Sequence, residues 1–224
     1  MQTLSEINTH FMQTLQRDER LVLGEGNPSA RLMLIGEAPG AQEAEQGRPF
    51  VGKAGKTLDA FLESMQLERS SLYITNAVKM RPTKEGKTGR LSNRPPTKQE
   101  IERFRPWLQA EIQCVQPLIV ATLGNVPLLS VCNTPISIGK VHGKLIPLTE
   151  SITLFPLYHP ASLIYRRELA AVYAQDMQLL YACFQDALDG TEDWRTNAAN
   201  IANQFHILYS ENTQQKYITN GGKA

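Results

Sequence analysis

The chain is poor in cysteine, with three in 224 residues: Cys114, Cys132 and Cys183. They lie far apart and form no CxxC pair, so the close spacing typical of zinc and redox sites is missing. An odd, scattered set also argues against a disulfide framework and favours a reducing compartment. We therefore expect a cytoplasmic protein without structural disulfides.

Long hydrophobic runs and a strong charge of one sign are also missing. No apolar stretch approaches the length of a membrane span, and residues 1–20 lack the apolar segment of a signal peptide. The formal net charge is only +1, so no global field marks a polyanion as the partner. We expect no membrane partner.

Local charge is less balanced than the total. Residues 79–105 contain nine basic residues and three acidic ones. Such a run is most often a solvated loop and helix surface, and taken alone we interpret it that way. A surface that binds the phosphates of a nucleic acid is the alternative.

Apolar patterning predicts strands that alternate with helices. Short apolar runs predict buried strands at 31–36, 72–78, 117–123 and 152–157. Amphipathic spacing and a Thr97–Glu100 capping box predict helices at 5–20, 53–65, 97–114, 124–131 and 162–187. This alternation is typical of a doubly wound parallel sheet.

Composition divides the chain into two parts. Residues 1–187 are predicted to form one domain that includes the N-terminal helix. Residues 188–224 are richer in Asn, Thr and Gln, with weak periodicity. We predict a C-terminal extension there, partly helical near 198–209 and otherwise disordered.

Polar residues follow three of the predicted strands. The segment Gly36–Phe50 follows the first strand, Asn76 lies on the second and His159 follows the fourth. In parallel sheets, ligands bind at the carboxyl ends of the strands. The three segments are therefore expected to meet at one functional edge.

Each feature alone has an ordinary explanation. The segment Gly36–Gly40 is first of all a tight turn, since it matches neither a Walker nor a dinucleotide motif. Phe50 is ordinarily a packed aromatic, Asn76 a link between strand ends, and His159 a structural histidine.

The functional interpretation assigns the same residues to a nucleobase. The ring of Phe50 would stack on its plane. The Asn76 amide would donate to uracil O4 and accept from N3–H, whereas cytosine presents the reverse pattern.

Four segments together resemble a known enzyme family. Residues 36–55, 73–82, 117–124 and 157–163 are similar, in the same order, to family 4 uracil-DNA glycosylases of bacteria and archaea. The resemblance implies a three-layer α/β/α sandwich around a short, mostly parallel, four-stranded sheet. It also implies hydrolysis of the N-glycosidic bond of uracil in DNA, which leaves an abasic site.

The resemblance implies catalytic and substrate-binding roles. Phe50 would stack on the flipped uracil, Asn76 would contact its edge, and Glu43 would lie near C5, where a thymine methyl is excluded. His159 would bind uracil O2 and stabilise the departing anion. The pocket and the water would be bordered by Gly36, Glu37 and the amides around Ala38.

Water activation is left open by this resemblance. Ala38 occupies the position at which the most familiar uracil glycosylases have an aspartate, so either Glu37 or Glu43 is the candidate base. Catalysis by leaving-group stabilisation alone is the other possibility.

The resemblance also implies a DNA-binding surface. The residues expected on it are Ser162, Leu163, Arg166, Arg167, Lys79 and Arg81. Arginines and the basic run would hold phosphates. One of Leu163, Ile164 and Tyr165 would enter the gap left by the flipped base.

One departure concerns a metal cluster. Family 4 members usually hold an iron–sulfur cluster on four cysteines, but no cysteine precedes Cys114, and Met80 and Phe104 occupy two of the expected positions. Because the cluster requires thiolates, we expect no metal, no cofactor, and apolar packing with the N-terminal helix instead. We expect a monomer.

Two other functions are compatible with the sequence. The chain would be a glycosylase for another deaminated base, hypoxanthine or xanthine, or a catalytically silent relative that binds DNA or a partner. Asn76 favours uracil over hypoxanthine or xanthine as the substrate. The joint presence of Phe50, Asn76 and His159 favours an enzyme over a catalytically silent relative.

Overall fold

A computed structural model of the chain describes residues 2–15 and 20–190. Its strands are β1 (Glu25–Gly26), β2 (Leu32–Gly36), β3 (Tyr73–Asn76), β4 (Thr83–Glu85), β5 (Leu91–Asn93), β6 (Ile119–Leu123), β7 (Ile146–Pro147) and β8 (Thr153–Leu157). β4 and β5 form a separate hairpin, and the other six form one sheet in the order β1-β3-β2-β6-β8-β7.

The four inner strands of this sheet are parallel and correspond to the four predicted strands. The predicted number of four was nevertheless wrong, because β1 and β7 add an antiparallel strand at each edge. Each edge strand has two residues. A segment that short leaves no alternation in the sequence by which it can be recognised.

Eight helices surround the sheet in the described part of the chain. They are α1 (Leu4–Met12), α2 (Ala41–Gln46), α3 (Lys53–Ser64), α4 (Lys98–Val115), α5 (Asn125–Cys132), α6 (Ile138–Val141), α7 (Ser162–Tyr165) and α8 (Leu169–Leu188). A short 3-10 turn at Arg69–Ser71 leads into β3.

The helices cover both faces of the sheet. Leu32 and Leu34 of β2 pack in one apolar cluster with residues of α3 and α8. Met33 and Ile35, which point to the opposite face, pack with residues of α4 and α5. The three-layer α/β/α arrangement is thus confirmed, and burial on both faces explains why β2 is apolar without interruption.

A third apolar cluster joins α1 to α4. Phe11 stacks on Trp107 with ring centroids 5.3 Å apart, and the Trp107 Nε1–H donates to Asn8 Oδ1 at 3.0 Å. Phe104 is buried in this cluster and Met80 packs against it. The apolar packing predicted for the N-terminal helix, Met80 and Phe104 is present.

Element boundaries differ from the predictions in three places. α1 ends at Met12 rather than at residue 20, and the predicted loop at 82–96 contains the β4–β5 hairpin. The predicted helix at 162–187 is two helices, because Arg166 leaves the helical conformation at φ −130° and ψ 77°. Residues 191–224, with the helix predicted near 198–209, lie outside the described residues.

Candidate active site

A cavity of about 460 Å³ opens at the carboxyl ends of β2, β3 and β8, the edge expected to be functional. It is lined by Ala38, Gly40, Ala41, Gln42, Glu43, Phe50, Gly52, Lys53, Ala54, Asn76, Asn93, His159 and Ala161. The volume lies within the range of small-molecule sites. Phe50, Asn76, Glu43 and His159, which come from three separate segments of the chain, therefore share one cavity.

Gly36 lies where the phenylalanine and the asparagine approach each other. It ends β2 directly beside Asn76 of β3. A Cβ atom at Gly36 would collide with Asn76 Oδ1 and with the ring of Phe50. Glycine is required here because any side chain would displace Asn76 and Phe50, which both line the cavity.

Phe50 has an unusual backbone conformation, with φ at +54°. The other non-glycine residues with positive φ in the described chain, Gln66, Gln116 and Asn133, lie at helix ends, where the left-handed conformation is common. For a bulky residue in a loop this conformation costs on the order of 1–3 kcal/mol. Surrounding contacts must therefore hold it.

The ring of Phe50 faces His159. Their ring centroids are 6.1 Å apart and the planes are inclined by 25°. Phe50 is 5% exposed and belongs to the apolar cluster that contains Leu32 and Leu34, so packing fixes its ring. The near-parallel rings give the cavity a flat aromatic wall.

His159 is held as a neutral imidazole. The Ala161 amide donates to His159 Nδ1 at 3.1 Å, so Nδ1 carries a lone pair and the ring hydrogen belongs to Nε2. Burial lowers the pKa of His159 to about 4, against the opposing influence of the Glu43 carboxylate. At neutral pH the ring is thus a neutral N–H donor.

The backbone around His159 is equally constrained. Gly124, at φ +102°, passes so close that an added Cβ would lie 3.3 Å from the His159 Cβ. Ser162 donates from both its amide and its hydroxyl to the His159 carbonyl, at 2.8 and 2.6 Å. Ser162, predicted to contact DNA, therefore uses its hydroxyl hydrogen within the loop.

The two candidate carboxylates have different surroundings. Glu43 lines the cavity, and its Oε1 accepts the Gly52 amide hydrogen at 2.8 Å, which ties α2 to the start of α3. Glu37 is half-buried and is not among the lining residues. Burial raises the pKa of Glu37, so its carboxylate is a stronger base than that of an ordinary glutamate.

Lys79 was predicted to bind DNA phosphates, and this prediction is wrong. The side chain has no exposed surface, and its ammonium donates to Thr75 Oγ1 at 2.6 Å, Asn76 O at 2.8 Å and Glu111 Oε2 at 2.5 Å. Desolvation lowers the pKa of Lys79, against the opposing effect of Glu111. Its ammonium group is therefore paired inside the protein, where it also holds the backbone carbonyl of Asn76.

The remaining predicted DNA contacts lie on the surface or near it. Arg167 is exposed, whereas Arg166 pairs with Glu168 at 3.0 Å. Leu163 packs partly against the core. Ile164 and Tyr165 beside it are 47% and 86% exposed, which leaves these two side chains free to project from α7.

Three polar residues of the cavity were not singled out in the sequence analysis: Gln42, Lys53 and Asn93. Lys53 begins α3 at the cavity wall, and Asn93 reaches the cavity from the hairpin. Arg81, predicted to contact DNA, is half-buried and donates from Nε to Asn93 Oδ1 at 2.7 Å. The lysine had a signal, since Gly52-Lys53 directly follows the Phe50 segment, but Asn93 had none because no hairpin was predicted.

Comparison with known proteins gives a consistent result. The family model "Uracil DNA glycosylase superfamily" matches residues 23–216. A type-4 uracil-DNA glycosylase of Sulfurisphaera tokodaii is 38% identical over 70% of this chain and 71% of its own. The type-4 enzyme of Archaeoglobus fulgidus is 32% identical over 80% of this chain and 92% of its own.

The type-4 uracil-DNA glycosylase of Thermotoga maritima is 35% identical over 70% of this chain and 80% of its own. Among solved structures, SMUG2 of Pedobacter heparinus superimposes with a TM-score of 0.52 at 12% identity. The superposition covers 85% of this chain and all of that one. At that identity, the likeness concerns the fold.

Proposed function

The chain belongs to the uracil DNA glycosylase superfamily, and from that membership we propose that it hydrolyses the N-glycosidic bond of uracil in DNA. The observation that carries the proposal is the meeting of Phe50, Asn76 and the neutral His159 around one cavity. An aromatic plane, an amide and an N–H donor are the groups needed to hold a planar base that leaves as an anion.

Base recognition is assigned to Phe50 and Asn76. A uracil flipped out of the duplex would stack on the Phe50 ring. The Asn76 amide would donate to O4 and accept from N3–H, and cytosine would leave both groups mispaired. Because Asn76 is 3% exposed, water cannot readily compensate that mismatch, and cytosine is rejected.

Leaving-group stabilisation is assigned to His159. As the bond between C1′ and N1 breaks, its electron pair moves into the base and negative charge develops on O2. The Nε2–H donor of the buried imidazole would meet that charge without a proton transfer. A fixed donor in a site sheltered from water is worth roughly 10²–10³ in rate.

Water addition completes the reaction. The water oxygen bonds to C1′ of the oxocarbenium-like sugar, and its proton passes to a carboxylate. We assign that proton to Glu37, which precedes Ala38 of the cavity wall and would receive the proton through a second water. Its raised pKa makes it the better acceptor. Glu43 already uses one oxygen for Gly52, and on the cavity wall it would exclude the C5 methyl of thymine.

The DNA contacts follow from exposure. Arg167 would hold a phosphate, and Ile164 or Tyr165 would occupy the space vacated by the flipped base. We also propose that it acts as a monomer. We place that action in the cytoplasm, where a reduced set of thiols is stable.

An iron–sulfur cluster of the kind held by family 4 members does not fit the residues present. Met80 and Phe104 stand at two of the positions that would need thiolates, and both belong to the apolar cluster of α1 and α4. Cys114, Cys132 and Cys183 are free. The proposed chemistry therefore passes through protein side chains and water.

The proposal is tested with labelled oligonucleotides that contain uracil, hypoxanthine, xanthine or, as a control, thymine. After incubation, alkali cleaves any abasic site. We expect strand cleavage with uracil and none with thymine. If only strands with hypoxanthine or xanthine are cleaved, that base is the substrate instead of uracil. If no strand is cleaved, the protein is not a glycosylase for these bases.

Two variants assign the base-binding roles. Asn76→Ala and His159→Ala should each lose most excision activity while DNA affinity, measured by fluorescence anisotropy, is kept. Arg31→Ala, on an exposed residue at the amino end of β2, is the matched control and should excise uracil normally. Full activity of Asn76→Ala would refute its role in base recognition.

A further inference from the structure

The position of the Phe50 ring depends on a loop conformation that a phenylalanine does not adopt readily. With φ at +54°, the backbone at Phe50 turns the ring toward His159. Any residue that stabilises this conformation therefore controls where a base can stack. Arg69, 19 residues further along the chain, donates a hydrogen bond to this backbone.

The Arg69 guanidinium binds two consecutive carbonyl groups of the loop. Its Nη1 donates to Phe50 O at 3.1 Å, and its Nη2 donates to Pro49 O. A planar guanidinium presents donors in a fixed fork, so two bonds to adjacent carbonyls set their relative orientation. The torsion between those two carbonyls includes φ of Phe50.

The guanidinium is itself held by two carboxylates. Nε and Nη2 donate to Glu25 Oε1 at 3.2 and 3.1 Å, and Nη1 also donates to Asp59 Oδ1 at 3.0 Å. Partial burial acts to raise the pKa of Glu25, but its bonds to Arg48 and Arg69 outweigh this and lower it. Arg69 thus links β1, α3 and the 3-10 turn to the loop.

Helix α3 closes the other side of the same carbonyl. A Cβ at Gly55 would collide with Phe50 O, so the carbonyl lies against the bare backbone of the helix. The carbonyl is enclosed between Gly55 and the guanidinium. These contacts together explain how a buried phenylalanine keeps its left-handed conformation.

We propose that Arg69 is a positioning residue of the glycosylase, which holds the Pro49–Phe50 backbone so that the Phe50 ring lies flat against the excised base. The inference rests on the proposed function, because it requires a base in the cavity. Arg69 itself is not among the residues that line the cavity.

The test compares three variants. Arg69→Met removes both carbonyl bonds, and Arg69→Lys keeps the charge next to Glu25 and Asp59 but not the fork. Arg48→Met is the matched control, since Arg48 binds the same Glu25 at 2.8 Å through an exposed side chain. We expect Arg69→Met and Arg69→Lys to lower the single-turnover rate of uracil excision roughly ten- to a hundredfold, and Arg48→Met to keep it.

A double-mutant cycle separates positioning from general stability. In a Phe50→Ala background the ring is gone, so Arg69→Lys should lower the excision rate less than twofold further. If the rate losses of Phe50→Ala and Arg69→Lys multiply instead, Arg69 does not act through the ring. Thermal melts of all variants identify any loss of folding, and Arg69→Lys carries the test if Arg69→Met does not fold.

A spectroscopic measurement makes the test independent of activity. With 4-fluorophenylalanine at position 50, the ¹⁹F resonance should shift or broaden in Arg69→Lys and stay unchanged in Arg48→Met. An unchanged resonance in Arg69→Lys would overturn the proposal. If the parent chain does not excise uracil, the proposed function fails, whereas the resonance still reports whether Arg69 holds the ring.

Discussion

At the scale of single residues, His159 couples catalysis to stability. The folded protein keeps this ring neutral, with a pKa of about 4, whereas an unfolded histidine has a pKa of about 6.5. At a pH between these two pKa values, the ring is protonated in the unfolded state and neutral in the folded state. Folding stability from this residue is therefore complete above pH 6.5 and is lost as the pH falls toward 4.

We predict the size of this effect from a comparison of two proteins. Between pH 7 and pH 5, His159 should reduce the free energy of unfolding by about 2 kcal/mol. The His159→Gln variant has no titrating ring at this position. Between pH 7 and pH 5 its free energy of unfolding should therefore fall by about 2 kcal/mol less than that of the parent protein. Urea denaturation at both pH values measures it, and equal losses in the two proteins would contradict the prediction.

Glu37 gives a second prediction, on activity rather than on stability. A carboxylate that accepts the water proton must be ionised, and burial raises the pKa of Glu37. The kcat/KM for uracil excision should thus fall as the pH falls through that raised pKa. Glu37→Gln should lower kcat by roughly 10²–10⁴ and abolish this acid limb.

Glu43→Gln is the comparison for the Glu37 experiment. It should keep the acid limb of the pH profile, because Glu43 is assigned to the C5 side of the base. Glu43→Gln has the same size and should still reject thymine, whereas Glu43→Ala should cleave thymine-containing strands at a detectable rate if this side chain excludes the methyl group. If Glu43→Gln loses the acid limb of the pH profile and Glu37→Gln keeps it, Glu43 accepts the water proton and Glu37 does not.

Much of the site was predictable residue by residue because its parts end predicted strands. Asn76 and His159 occur where the apolar runs stop, and Gly36 ends the first run, so topology alone brings them together. The positive φ of Phe50 and its contact with Arg69 were not predictable. Both arise from carbonyl positions that only the folded loop defines.

At the scale of elements, the ion pair of Lys79 and Glu111 joins the segment after β3 to α4. Both side chains are fully buried, and the pair also bonds Thr75 and Asn76 O. Removal of one partner leaves an uncompensated charge in the interior, which is far costlier than loss of the pair. This link explains how α4 influences the backbone of the cavity.

We predict that Lys79→Met lowers the free energy of unfolding by about 3–5 kcal/mol. The double variant Lys79→Met/Glu111→Leu should recover most of that loss, since it removes both charges. Lys84→Met, an exposed lysine of the same basic run, should change stability by less than about 0.5 kcal/mol. Chemical denaturation of the four proteins is the measurement, and a stable Lys79→Met would contradict the buried-charge argument.

The same ion pair explains why Lys79 was wrongly predicted to lie on the DNA-binding surface. A lysine among nine basic residues carries no sequence sign that it is buried, because its partner Glu111 lies 32 residues away. Arg105, from the same run, is also buried. The inner strands were predictable from continuous apolar runs, but the two edge strands and the hairpin were too short to leave such a pattern.

At the scale of the whole molecule, DNA binding should depend on charges near the carboxyl edge of the sheet and not on the total charge. Arg167→Ala should weaken binding to any sequence and reduce the slope of log affinity against log salt by about 1. Arg31→Ala, at the amino ends of the strands, should leave the slope unchanged. Anisotropy titrations at several salt concentrations measure both, and equal slopes for Arg167→Ala and the parent would exclude a phosphate contact.

The two short strands at the margins of the sheet have a consequence for the protein in concentrated solution. β1 and β7 consist of two residues each, and β7 ends in Pro147, which has no amide hydrogen to donate. Long, flat margins are templates on which strands of other molecules add and fibres grow. Margins this short give a neighbouring chain little to pair with, so light scattering should detect no fibrous growth when the protein is stored concentrated.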